Sequence, residues 1–154
     1  MDIVGKCTLD WPAGRVDAVL DTDAFNEVDD QFAIAYMLRS SDKINAKGIY
    51  AAPFFNNRSR SPEDGMEKSY GEIKKLLSLC GEESLNDFVF KGSRTYLPDE
   101  KTPVLSPAAE NLIELSKNYG GDNRLYVIAI GAITNIASAL LADPSVKDRI
   151  TVVW

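Results

Sequence analysis

The sequence predicts a parallel α/β sheet of Rossmann-like type with helices on both faces. Three observations lead there. Short runs rich in Val, Ile and Leu alternate with longer stretches whose apolar residues recur at helical spacing. The runs are apolar throughout, as expected of strands covered on both sides. Three of them end in polar or Gly-containing segments: Asp21-Thr22-Asp23, Phe55-Asn56-Asn57, and Gly131 with Thr134-Asn135. In sheets of this kind, ligands bind at the carboxyl ends of the strands.

Each element has its own signal. Residues 16–20 form a Val- and Leu-rich run that stops at a polar loop, which predicts the first strand. Residues 29–38 carry Phe32, Ile34, Ala35 and Leu38 and predict a helix, and residues 44–52 predict the second strand. A polar loop over 53–62 leads into Ser61-Pro62-Glu63-Asp64. That is a helix start, with a hydroxyl cap, Pro at the first helical position and carboxylates in the first turn. Met66, Tyr70, Ile73, Leu76 and Leu77 continue that helix to Cys80-Gly81. Residues 87–90 predict a third strand and 91–105 a loop. Ser106-Pro107 opens a helix to residue 118, ended by Gly120 and Gly121. A fourth strand over 125–130, a helix over 133–141 closed by Asp143-Pro144, and a fifth strand over 150–154 complete the alternation. At 154 residues a single domain is expected over 1–154, with residues 1–15 as an N-terminal extension. The chain stops on an apolar strand with no following helix, so a C-terminally truncated domain is expected. Ile150, Val152, Val153 and Trp154 are then expected to invite self-association.

Composition narrows the chemistry. The net charge of -6 argues against a nucleic-acid partner, which needs a basic surface. The chain contains no His, so it offers no Ser-His-Asp or Cys-His catalysis and no His-ligated zinc. Cys7 and Cys80 form no CxxC pair and are expected to be reduced, structural thiols. No apolar run approaches the roughly 20 residues that span a bilayer, and the N-terminus lacks the apolar core of a signal peptide. A cytoplasmic location without membrane attachment is the expectation.

The segment Val19-Leu-Asp-Thr-Asp-Ala-Phe-Asn-Glu-Val-Asp-Asp30 carries the most chemistry. Asp21, Asp23, Asp29, Asp30 and Glu27 crowd the end of the first strand and the start of the next helix. Like charges this close repel unless a cation or the positive end of the helix neutralises them. A solvated acidic loop capping the helix is one reading. A hard divalent ion is the other, because carboxylate oxygens suit Ca²⁺ or Mg²⁺ better than zinc.

The D-T-D and D-D of this segment resemble the N-terminal signature of the inosine-uridine preferring nucleoside hydrolases. Residues 127–153, with Ile133-Thr134-Asn135-Ile136-Ala137 and Asp143-Pro144, resemble that family's strand-loop-helix segment more closely still. In the family three residues separate the two acidic pairs; here Ala24 to Val28 intervene. The resemblance implies the N-terminal half of a Ca²⁺-dependent hydrolase that releases base and ribose from nucleosides, in purine and pyrimidine salvage. It implies Ca²⁺ held by Asp23, Asp30 and the carbonyl of Ile130, with a further aspartate beyond this chain. It implies Asp29 on a ribose hydroxyl, Asp21 orienting the metal-binding aspartate, and Asn56 or Asn57 gripping the ribose. Simple turn chemistry accounts for Asn56 and Asn57 equally well. Thr134-Asn135 reads as a helix N-terminus that positions the helix. Asp23 is the expected base for the attacking water. A small-molecule nucleoside is the expected partner, and a homo-oligomer the expected assembly. With no His to protonate the leaving base, the chain alone is expected to be a poor catalyst.

Two alternatives stand beside this. Asp21-Thr22-Asp23 after a strand also resembles the nucleophile motif of Mg²⁺-dependent haloacid dehalogenase-like phosphatases, which implies Asp21 as nucleophile and Asp23 as acid/base. The other is a non-catalytic metal- or ribose-binding fragment. Phe54, Phe55 and Tyr96 are candidates for stacking on a base, with packing as the plainer role.

Overall fold

The computed structural model describes residues 12–154; residues 1–11, with Cys7 and most of the expected N-terminal extension, lie outside the described residues. The elements run β1 (Val16–Thr22), α1 (Val28–Arg39), β2 (Ile44–Ala51), α2 (Pro62–Cys80), β3 (Val89–Lys91), α3 (Pro107–Ser116), β4 (Leu125–Ala129), α4 (Thr134–Ala142) and β5 (Ile150–Val153). The strands form one sheet in the order β3-β2-β1-β4-β5, and every pairing is parallel.

The capping signals act where expected. The Ser61 hydroxyl accepts from the Asp64 amide at 3.1 Å, and Ser106 does the same for Ala109 at 3.2 Å; in both helices Pro fills the first turn. Several boundaries differ from the sequence expectation: the first strand runs on through Asp21 and Thr22, which the sequence places in the loop, and two later elements shift more. A 3-10 helix, Glu83–Phe88, takes the first half of the expected third strand, which instead runs from Val89 to Lys91 where Ile49, Tyr50 and Ala51 offer pairing partners. The helix over α3 ends at Ser116, whose hydroxyl donates to the Ile113 carbonyl at 2.8 Å, and the next amides bond three residues back. That is the tightened geometry of a closing helix.

The period-two alternation of the strands divides the core in two. Val19, Tyr50 and Val127 face α3 and α4, where they meet Ala109, Leu112 and Ile136. Leu20, Ile49 and Ala51 face α1 and α2, where they meet Ile34, Met66, Ile73 and Leu77. Removing each such aliphatic side chain from water stabilises the fold by about 1.5–3 kcal/mol. At the edge, Ile150 is buried in the α3–α4 layer, whereas Val152, Val153 and Trp154 are exposed. The apolar face expected over all four residues is therefore confined to the last three. Cys80 is a half-buried free thiol. Among the described residues no helix is long and apolar enough to cross a membrane.

From β1 the chain steps outward through β2 to β3, then returns to place β4 on the other side of β1. The order thus reverses between β1 and β4. The carboxyl ends of that pair form the crevice where open α/β sheets bind ligands.

Candidate functional site

The acidic segment lies at this reversal point. Asp21 is paired with Tyr50 of β2 and Ala129 of β4, so it is enclosed by three strands and fully buried. Its Oδ1 accepts from Asn135 Nδ2 at 2.7 Å, while its Oδ2 has no hydrogen-bond partner. Burial pushes this carboxyl up to about 7; the Asn135 bond opposes the rise and the charge of Asp23 adds to it. Asp21 thus lies buried at the end of β1, held by Asn135.

Asn135 does more than mark the start of α4. That helix is entered from Ile133 with no side-chain cap, and the Asn135 side chain is fully buried. Its Oδ1 accepts from the Ser93 amide at 2.8 Å and from the hydroxyls of Ser93 and Ser106 at 3.0 and 3.3 Å. One amide therefore joins β1, the loop after β3, and the starts of α3 and α4. A Cβ on Gly92 would overlap the Ala51 carbonyl and approach the Asn135 amide, so only Gly admits this junction.

Above Asp21, Asp23 and Asp30 lie side by side. Both are buried, and Asp23 is within hydrogen-bonding reach of Asp30. Of the five intervening residues, Ala24 to Asn26 form a tight turn closed by the Asn26 amide on the Asp23 carbonyl at 2.7 Å, and Val28 already begins α1. The extra residues therefore do not swing Asp30 away. Thr22 donates its hydroxyl to Asp30 Oδ1 at 2.9 Å. Burial pushes the Asp30 carboxyl up to about 7; the Thr22 bond lowers it, and Asp23 and then Asp29 raise it. Asp29, one residue into α1, is exposed.

Asp23 is gripped from two sides. Its Oδ2 accepts from Asn26 Nδ2 at 2.9 Å. Its Oδ1 lies against Gly131, where a Cβ would come within 2.8 Å. The Ile130 amide donates to the Asp21 carbonyl at 2.9 Å, extending the β1–β4 ladder and bringing the Ile130-Gly131 backbone to the site.

The loop after β2 closes the other side. Asn56 donates from Nδ2 to Asn26 Oδ1 at 2.6 Å and accepts the Arg58 amide at 2.9 Å, so both ends of its side chain are engaged. Arg58 Nη1 donates to the Asn26 carbonyl at 2.6 Å. Asn57 is exposed. Phe54 is buried in packing, whereas Phe55 and Tyr96 are exposed.

The donors suit a hard cation in kind. Asp23 and Asp30 are buried oxygen ligands, and among the described residues neither forms an ion pair with Lys or Arg. They fall short in number, since no three His, Cys, Asp or Glu side chains among the described residues group to hold a metal. The four aspartates separate by role: Asp21 beneath, Asp23 and Asp30 together, Asp29 outside.

Sequence reasoning missed Asn26, Arg58 and the reach of Asn135. Asn26 had a signal: an Asn three residues after an Asp, within a loop rich in turn formers. Arg58 and Ser93 had none, because their partners are distant in sequence.

No protein-family profile matches the chain. Solved structures do. A plant nucleoside hydrolase superposes with a TM-score of 0.65 at 21% identity, covering 90% of this chain and 46% of its own. A purine-preferring ribonucleoside hydrolase from Gardnerella vaginalis superposes with a TM-score of 0.65 at 27% identity, covering 87% of this chain and 46% of its own. The chain thus spans a little under half the length of either. Five parallel strands in this order, flanked by helices and superposing on both enzymes, give the chain the nucleoside hydrolase fold over that span.

Proposed function

We propose that these residues form part of the active site of an N-glycosidase that hydrolyses ribonucleosides to base and ribose. The observation that carries the reading is the Asp23–Asp30 pair: two buried carboxylates that form no ion pair among the described residues, at the β1–β4 crevice, in a fold shared with ribonucleoside hydrolases.

In this reading water attacks the anomeric carbon of ribose, the C–N bond to the base breaks, and its electron pair leaves with the base. Asp23 accepts a proton from the water, and an acid outside this cluster protonates the departing nitrogen. The sugar passes through an oxocarbenium-like state that the anionic pair stabilises. Asp29 and Asn57 are exposed and can offer polar groups to ribose hydroxyls, whereas the Asn56 amide is held within the protein. Asp23, Asp30 and the Ile130 carbonyl would hold Ca²⁺. Such an ion, when bound, lowers the pKa of the nucleophilic water. The phosphatase alternative loses its nucleophile, because Asp21 is fully buried and bonded to Asn135.

The test is release of free base from purine and pyrimidine ribonucleosides, with and without chelator, by the longest chain containing these residues. Hydrolysis that chelator stops and Asp23→Asn abolishes is expected. Hydrolysis that survives Asp23→Asn would overturn the assignment.

A further inference from the structure

The turn between Asp23 and α1 contains an amide that the proposed chemistry does not use. Asn26 stands at the meeting point of two loops. Its own amide closes the turn on the Asp23 carbonyl, and its side-chain Nδ2 donates to Asp23 Oδ2 at 2.9 Å. Its Oδ1 accepts from Asn56 Nδ2 at 2.6 Å, and its carbonyl accepts from Arg58 Nη1 at 2.6 Å. Asn56 in turn accepts the Arg58 amide. The loops after β1 and β2 are thereby joined through one residue whose side chain ends on the central carboxylate.

This arrangement has a chemical consequence. A primary amide that accepts at its oxygen becomes a better donor at its nitrogen, because hydrogen bonds in a chain polarise one another. With Oδ2 taken by that donor, Oδ1 packed against Gly131 and Asp30 within hydrogen-bonding reach, the Asp23 carboxylate is held in one orientation. Partners that hold a ligating carboxylate commonly govern affinity as strongly as some of the ligands.

We propose that Asn26 is the positioning residue for Asp23, with Asn56 and Arg58 linking it to the loop after β2, so that the Asp23 carboxylate meets its cation and water in one fixed orientation. The inference rests on the reading of Asp23 as base and cation ligand, and adds the residue that sets its geometry.

Ca²⁺ titration by calorimetry tests it. Asn26→Ala should weaken Ca²⁺ binding about tenfold. Asn56→Ala should weaken it less, and the double variant should do no worse than Asn26→Ala alone, since the two act in series. The thermal midpoint of chelated protein serves as the structural control: a residue that only braced the fold would move that midpoint and leave the affinity of the folded protein unchanged. Unchanged or tighter Ca²⁺ binding by folded Asn26→Ala would overturn the proposal. A second measurement needs no cation. The Asn26 side-chain amide resonance should lie downfield in proton–nitrogen spectra and move upfield in both Asp23→Ala and Asn56→Ala. If the parent protein binds no Ca²⁺, the cation reading fails while these shifts still decide the link. If the resonance ignores both substitutions, the link is refuted whatever the cation does.

Discussion

Replacing Asn135 with Ala removes the junction beneath the site, and the cost follows from its partners. The Ser93 amide loses a 2.8 Å acceptor in a fully buried position, and Asp21 loses its 2.7 Å donor. Ser93 Oγ keeps the Val104 carbonyl at 3.2 Å, and Ser106 Oγ still accepts from Ala109, so the hydroxyls suffer less. An orphaned buried amide costs about 1–3 kcal/mol, and a lost bond to a charged group about 1.5–3. A destabilisation of roughly 3–5 kcal/mol at pH 8 is expected, well above the usual single substitution. The pH dependence separates the two contributions. Because the folded Asp21 carboxyl lies near 7 and its unfolded value near 3.8, the folded state holds the extra proton between them. Stability from this group therefore falls as pH rises through that window. Without Asn135 the carboxyl rises further and the loss extends to higher pH. The cost of Asn135→Ala should thus be larger at pH 8 than at pH 5, where Asp21 is already protonated in the fold. Urea unfolding followed by circular dichroism in chelator measures both. A cost below about 1 kcal/mol, or equal costs at the two pH values, would refute the role given to this amide.

Further outcomes are expected at the same site and at the sheet edge. Asp21→Asn should reduce the rise in thermal midpoint between pH 7 and pH 4 in chelated protein, because one of the two carboxyls held near 7 no longer titrates while Asp30 keeps its share; an unchanged pH profile would place that dependence elsewhere. Gly131→Ala should impair Ca²⁺ binding and nucleoside hydrolysis, since the new methyl group would stand 2.8 Å from Asp23 Oδ1; parental affinity would show that Asp23 moves freely. Added Ca²⁺ should raise the thermal midpoint of the parent and have no effect on Asp30→Asn, and an equal rise in both would remove Asp30 from the ligand set. Val153→Lys should reduce any concentration-dependent association seen by light scattering, because β5 is an edge strand with Val152, Val153 and Trp154 exposed; association unaffected by that charge would place the contact elsewhere.

The architecture was legible because each level of the sequence agrees with the next. Leu-Asp-Thr-Asp marks a strand running into polar residues, and Ser61-Pro62 and Ser106-Pro107 mark helix starts that the structure confirms in their cap bonds. Residues 83–88 misled because Asn86 and Asp87 beside an apolar Phe-Val-Phe run fit either a turn or a strand, and only pairing with β2 decides. The aspartates were legible as a cluster, but not their separation into one beneath, two together and one outside. Depth in a crevice depends on strand register, which no local pattern encodes. Asn135 shows the same limit: its position at a helix start is local, whereas its bonds reach across 114 residues to Asp21 and 42 to Ser93.

That long reach bears on the order in which the molecule assembles. The sheet's middle strand, β1, has β2 as its near neighbour in sequence, joined through α1, whereas β4 arrives more than a hundred residues after it. Closing such a loop is entropically slow, so β1, β2 and their helices are the natural early unit. Until β4 docks, Asp21 has neither Ala129 beside it nor Asn135 above, and water still reaches its carboxylate. Docking strips that water away, so the last folding step carries the electrostatic cost of the site. Refolding of the metal-free chain is therefore expected to slow as pH rises from 5 to 8, the docking of β4 acting as the gate.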